Sequence, residues 1–270
     1  MTSTGQVSSA QVALVTGGAS GMGLSVVKHL AEQGWNVMIV DYNEESGQKV
    51  ARELGDKVSF TNADVSDYDQ QAKAFVETWK QWSRLDFVFA NAGIIDRTNF
   101  YEPAEEREDG APVKPDTSVL DICLTAVVYS AYLALHYFRK NPDKAGKLVS
   151  TASMAGLYPS HGLPVYTSAK HGVVGITRCL AQRLEALQEP ITVNCICPGI
   201  VATNISSSPM TDAIAKILTP HSTIVRAVDG FLTDSSKNGL VAECSIENIH
   251  YRVQPDWSDE KAKEVMTGVY

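Results

Sequence analysis

The stretch Val12-Ala13-Leu14-Val15-Thr16-Gly17-Gly18-Ala19-Ser20-Gly21-Met22-Gly23 runs from apolar residues into four glycines. A helical pattern through Leu24, Val27 and Leu30 follows it. A strand that ends in a Gly-rich turn and opens a helix is a recipe for holding a pyrophosphate. Glycines let the backbone come close, and the free N–H groups of the first helical turn point at the anion. Gly17, Ser20, Gly21, Met22 and Gly23 are therefore candidate contacts of a dinucleotide. Glycine also serves ordinary tight turns, so the reading depends on what the rest of the chain supplies.

Outward from that stretch, strand and helix patterns alternate. Strands are expected at Val12–Thr16, Asn36–Val40, Val58–Asn62, Leu85–Ala90, Lys147–Thr151, Thr192–Ile196 and Leu240–Cys244. Helices are expected at Gly21–Gln33, Glu44–Leu54, Tyr68–Gln81, Thr117–Arg139 and Val165–Leu187, with another near His221–Leu232. Alternation of this kind gives right-handed crossovers and a parallel sheet covered on both faces. The expected fold is α/β, a doubly wound (Rossmann) seven-stranded parallel sheet in one domain spanning residues 1–270. Two segments break the rhythm: an acidic, proline-containing surface excursion at 96–116 and a serine-rich stretch at 203–220 that suits a lid over a pocket. The tail at 246–270 carries Tyr251, Trp257 and Tyr270 among charges, and its role is left open.

Composition narrows the partners. The 270 residues carry 31 acidic against 23 basic side chains, a net charge of −8. That balance repels nucleic-acid phosphates. No basic run suggests a membrane surface, and no stretch reads as approaching the roughly 20 apolar residues that span a bilayer. The first residues, MTSTGQVSSAQ, are polar and do not read as a secretory signal. Five cysteines (123, 179, 195, 197 and 244) show no paired spacing. Cys195 and Cys197 are read as facing opposite sides of a strand, so no metal is expected, and buried reduced thiols in the cytoplasm are.

The expected strand ends carry further chemistry. Asp41 closes the second strand about twenty residues past the glycine turn, where a carboxylate accepts from both hydroxyls of an adenosine ribose and repels a 2′-phosphate. Neighbouring Tyr42 and Asn43 offer no cation for such a phosphate, so NAD is favoured over NADP. Asp64 and Val65 follow the third strand, and Asn91-Ala92-Gly93 the fourth, in the same relation. Capping of the next helix is the alternative for both aspartates. Ser153 ends the fifth strand. Tyr166 and Lys170, four apart on a helix, share one face. An ammonium beside a phenol favours phenolate, which suits proton exchange with an alcohol or carbonyl.

Thr16-Gly17, Gly21-x-Gly23, Asn91-Ala92-Gly93, Ser153, Tyr166-x-x-x-Lys170 and Pro198-Gly199-x-x-x-Thr203 together resemble the short-chain dehydrogenase/reductase family in its NAD-dependent form, over roughly residues 10–205. VDYNEESGQ, PVYTSAKHGVVGITR and NCICPGIV are most similar to members of the 15-hydroxyprostaglandin dehydrogenase type. The resemblance implies hydride transfer between a nicotinamide and a secondary alcohol or ketone. It implies Tyr166 as acid–base, Lys170 on the nicotinamide ribose and Ser153 on the substrate oxygen. Pro198, Gly199, Ile200 and Thr203 would meet the carboxamide. Two positions depart from the pattern. Cys123 stands where the family usually has asparagine, which puts its proton relay in doubt. Leu163 stands where the prostaglandin enzymes have a polar residue, so their substrate is not carried over.

The expected enzyme is an NAD-dependent oxidoreductase acting on a fairly apolar small molecule, with Met154, Leu157, Tyr158, Leu163 and Met210 in the pocket. Apolar surface on the fourth and fifth helices points to a homodimer or homotetramer. The alternatives are an isomerase, dehydratase or cyclase that keeps the cofactor as a scaffold, and a dinucleotide-binding sensor without catalysis.

Overall fold

In the computed structural model, residues 10–203 and 215–268 are described. The strands are β1 (Val12–Thr16), β2 (Asn36–Asp41), β3 (Val58–Asn62), β4 (Phe87–Ala90), β5 (Gly146–Thr151), β6 (Ile191–Pro198), β7 (Val241–Ser245) and β8 (Asn248–Arg252). They form one sheet in the order β3-β2-β1-β4-β5-β6-β7-β8. Every neighbouring pair is parallel except β7 with β8. The order reverses between β1 and β4, which opens the crevice where doubly wound sheets take their ligands.

All five residues of β1 are buried, as a strand covered on both faces must be. Alternation sends successive side chains of β4 to opposite sides: Phe87 and Phe89 pack below, Val88 and Ala90 above. One face holds α1 (Gly21–Glu32), α2 (Glu44–Leu54) and α6 (His221–Thr233), through Val26, Leu30, Val50, Ile224 and Phe231. The other holds α3 (Tyr68–Trp82), α4 (Ser118–Phe138) and α5 (Pro164–Ala186), through Phe75, Val127, Phe138, Val173 and Leu184. A last helix, α7 (Glu260–Gly268), has no buried residue.

The sheet has eight strands, not seven. Ile246 takes a left-handed φ of 53°, which lets the chain reverse after β7 without glycine. The tail then pairs Asn248–Arg252 antiparallel along Ser245–Val241. The fourth helix carries a π-helical turn at Asp121–Thr125 between two α-helical pieces. That helix also corrects the composition reading: at 21 residues, with a mean hydropathy of 1.8 over an 18-residue stretch, it is long and apolar enough to cross a membrane. Half of that stretch is buried in the protein, and apolarity is what a helix needs to pack beside α3 on the sheet.

Cys195 and Cys197 share one face of β6, as residues two apart on a strand do. Contact with Cys195 and burial together push the Cys197 thiol up, and burial pushes that of Cys244 up to about 12. Cys179 is exposed, against the expectation of buried thiols throughout, and all five cysteines are free.

Candidate active site

The glycine turn joins β1 to α1 with Gly17 at φ 64° and Gly21 at φ 53°, conformations that side chains with a Cβ resist. At Gly23 the obstacle is space: a Cβ there would stand 2.1 Å from the Gly17 carbonyl oxygen. A Cβ on Gly21 would stand 3.1 Å from the Thr203 methyl, so the turn and the Pro198–Thr203 segment meet across 180 residues of chain. His221 braces this meeting point. Its Nδ1 lies 2.7 Å from Ser25 Oγ on α1, and its Nε2 lies 2.9 Å from the Ala202 carbonyl.

Asp41 does not cap α2, because the Asn43 side chain does so by accepting from Ser46 N. Its carboxylate instead accepts from Ala19 N in the glycine turn and from Asn43 N, each at 3.0 Å. Each oxygen keeps further acceptor capacity. Tyr42 beside it is exposed. Asp64 turns inward on Ser66, accepting from its N and Oγ at 2.9 and 2.7 Å, while Asp67 caps α3. The Val65 side chain is in the core.

At the end of β4, Thr16 Oγ1 accepts from Asn91 N and Ala92 N at 2.9 and 3.2 Å. The Asn91 amide donates to Thr16 O at 3.2 Å, and its oxygen accepts from Thr151 Oγ1 at 3.1 Å. Three strand ends are thus locked together beneath the crevice. Above them, Ser153 Oγ accepts from Ala155 N at 3.1 Å, which leaves its own proton available. Lys170, 2% exposed, donates from Nζ to the Thr151 carbonyl at 2.7 Å and lies 5.4 Å from the centre of the Tyr166 ring. Burial of an ammonium requires such a partner. Cys123, in the π-turn, accepts from Ile94 N and donates to Ile94 O, both at 3.3 Å.

A cleft of about 410 Å³ gathers Met22, Asn91, Gly93, Ser153, Tyr166, Lys170, Pro198, Gly199, Ile200 and Thr203. Gly17, Ser20, Gly21, Gly23, Asp41, Tyr42, Asp64, Val65 and Ala92 do not line it and sit farther along the same carboxyl edge of the sheet or just past it. Of the expected pocket wall, Leu163 lines the cleft, whereas Met154, Leu157 and Tyr158 do not. The Met154 sulfur packs where a Gly199 side chain would be, and Leu157 packs against the core. Tyr158 is drawn away because its hydroxyl donates to the buried carboxylate of Glu243 at 3.0 Å, a contact that pushes the phenol up. Met210 lies outside the described residues. Ile95, Ser160, Val201, Ala202 and Leu218 also line the cleft, and only their neighbourhood to the motifs could have suggested them. A larger hollow of about 630 Å³ opens at the opposite, amino edge of the sheet, around Arg84, Asp86 and Lys147. None of the expected site residues lies there.

Comparison with known proteins agrees with this architecture. A short chain dehydrogenase family model matches residues 11–213. A short-chain dehydrogenase/reductase of Penicillium rubens, prx7, is 40% identical over 91% of this chain and 95% of its own. The rat 15-hydroxyprostaglandin dehydrogenase [NAD(+)] is 30% identical over 90% of this chain and 94% of its own. In fold, the chain resembles the 3-ketoacyl-(acyl-carrier-protein) reductase of Brucella melitensis complexed with NADH. That likeness has a TM-score of 0.76 at 24% identity and covers 87% of this chain and 96% of the other. The chain belongs to the short-chain dehydrogenase family and is an oxidoreductase.

Proposed function

We propose that this enzyme uses NAD to interconvert a secondary alcohol and a ketone on a fairly apolar small molecule. The observation that carries the reading is the convergence of Ser153, Tyr166 and Lys170 in one cleft with Asn91 and the Pro198–Thr203 segment. The glycine cradle fits a dinucleotide: the space that a Cβ on Gly23 would fill is taken by the Gly17 carbonyl and the Asn91 side-chain amide, so the turn closes this tightly only with glycine. Gly17 to Gly23 would hold the pyrophosphate, Asp41 the adenosine ribose, and Ile200 and Thr203 the nicotinamide end. When bound, the dinucleotide supplies the hydride acceptor or donor.

The chain's own residues do the rest. Tyr166 gives or takes a proton at its phenol oxygen. Lys170, anchored on the Thr151 carbonyl, holds its positive charge 5.4 Å from the centre of that ring. The free proton of Ser153 is donated to the substrate oxygen. Leu163, Ile95 and Leu218 exclude water from the apolar part of the substrate. NAD is favoured over NADP because the Asp41 carboxylate would repel a 2′-phosphate and Tyr42 and Asn43 cannot hold one. The cofactor in the rat relative's name supports this. We place the enzyme in the cytoplasm as a homodimer or homotetramer, with exposed Val128 and Tyr132 on α4 as contact residues.

A panel of secondary alcohols and ketones, followed by nicotinamide absorbance, tests the reading. Turnover of apolar members is expected, with NADH binding at least tenfold more tightly than NADPH. No redox signal across the panel would sink the oxidoreduction, and tighter NADPH binding would sink the cofactor choice.

A further inference from the structure

The helix that carries Tyr166 begins without a cap of its own. Leu163, at the capping position, has no side-chain acceptor, and Pro164 has no N–H. The next two amide groups need partners, as they do at any helix start. Both find one in a single carboxylate 70 residues away. Asp96 Oδ2 accepts from Val165 N at 3.0 Å, and Oδ1 accepts from Tyr166 N at 2.6 Å. An anion at a helix N-terminus is favoured by the helix dipole, and charge-assisted bonds of this kind are the stronger ones.

Asp96 is the last residue of a segment pinned at each step. Asn91 is fixed to Thr16 and Thr151, and Ile94 is gripped through both its N–H and its carbonyl by the Cys123 thiol. Gly93 and Ile95, on either side of Ile94, line the cleft, whereas Asp96 does not. Both carboxylate oxygens are engaged by the helix start. Asp96 joins the end of β4 to the backbone of the tyrosine itself.

We propose that Asp96 is a positioning residue that sets where Tyr166 stands relative to the Asn91–Gly93 edge. This rests on the reading of Tyr166 as the acid–base group. The test compares full-length Asp96→Ala and Asp96→Asn with the wild type, using Tyr166→Phe to assign the Tyr166 signal in protein carrying ¹³Cζ-tyrosine. Since misplacement by about 1 Å can cost on the order of a hundredfold, Asp96→Ala is expected to lower kcat at least about tenfold. NADH affinity should change less than about twofold, because no dinucleotide contact is removed. Asp96→Asn, which keeps one acceptor, should recover most of the rate. The Tyr166 resonance should move in Asp96→Ala and return toward its wild-type position in Asp96→Asn. The proposal is overturned if kcat and the resonance are unchanged in Asp96→Ala. It is equally overturned if rate and NADH affinity fall together with no recovery in Asp96→Asn. Should the wild type oxidise no alcohol, the resonance alone decides: movement upholds the positioning role while the reaction reading falls, and no movement removes both.

Discussion

The same strands end in two different ways. At the amino edge, polar groups are tied up. Asp86 accepts from Val12 N and from Arg84 Nε, each at 2.8 Å. The buried Asn141 accepts from Leu85 N and donates to the carbonyls of Leu85 and Ala145. Lys147, whose ammonium burial pushes down, donates to Leu232 O and Ser235 Oγ at 2.8 and 2.9 Å. At the carboxyl edge, the groups that matter keep capacity in hand: the Ser153 proton, the free lone pairs of Asp41 and the Tyr166 hydroxyl, which has no hydrogen bond among the described residues. The larger hollow lies at the tied edge and the smaller cleft at the open one. Unspent hydrogen-bonding capacity, and not volume, marks the place for chemistry.

That contrast can be broken by moving one group at a time. Tyr166→Phe removes a hydroxyl from the open edge and should reduce turnover by roughly 10²–10⁴-fold, the range for a lost acid–base group. NADH affinity by fluorescence should be nearly unchanged, and retained turnover would take Tyr166 out of its role. Asn141→Ala works at the tied edge, orphaning the Leu85 amide and two carbonyls. It should cost about 2–3 kcal/mol in urea unfolding, with kcat per folded molecule unchanged. A fall in kcat at full folding would mean that the two ends are not separate.

The smallest effect belongs to Arg139 and Glu189, which pair at 2.7 Å at the amino edge. The hydrogen bond from Arg139 holds the Glu189 carboxyl below its ordinary value of 4.5. A depressed carboxyl contributes stability above its unfolded pKa and loses it as pH falls through the folded one. Glu189→Gln should therefore cost under about 1 kcal/mol at pH 7, and the difference should shrink as pH falls below 4.5 and through the lowered pKa. A difference that persists there would mean that packing, not charge, joins the pair.

What could be read from the amino acids follows the distance over which each feature is decided. The glycine turn, Asp41, Asn91 and the Tyr166–Lys170 pair are set by local spacing within one strand–turn–helix unit, and the parallel pairing of the strands follows from alternation. Asp96, Tyr158 and His221 take their partners 70, 85 and 196 residues away, and no local pattern announces such contacts. Tyr158 shows the cost: its position beside Ser153 suggests the pocket, yet Glu243 claims it. β8 was hidden for another reason, since its turn puts isoleucine where glycine would have signalled a reversal. Cys195 and Cys197 were legible in principle, because strand period alone puts them on one side.

The π-turn at Asp121–Thr125 has a consequence at the level of the gene. A π-turn carries one more residue than the α-helix around it, so loss of one codon there would leave a regular helix. Because the wider turn absorbs the extra residue, the helix on either side of it would keep nearly its present face. Val119 would keep its buried place beside Ala169, and what would change is the widened turn that presents the Cys123 thiol to Ile94. The extra residue thus serves the contact of Cys123 with Ile94, and the packing register of the rest of the helix does not depend on it.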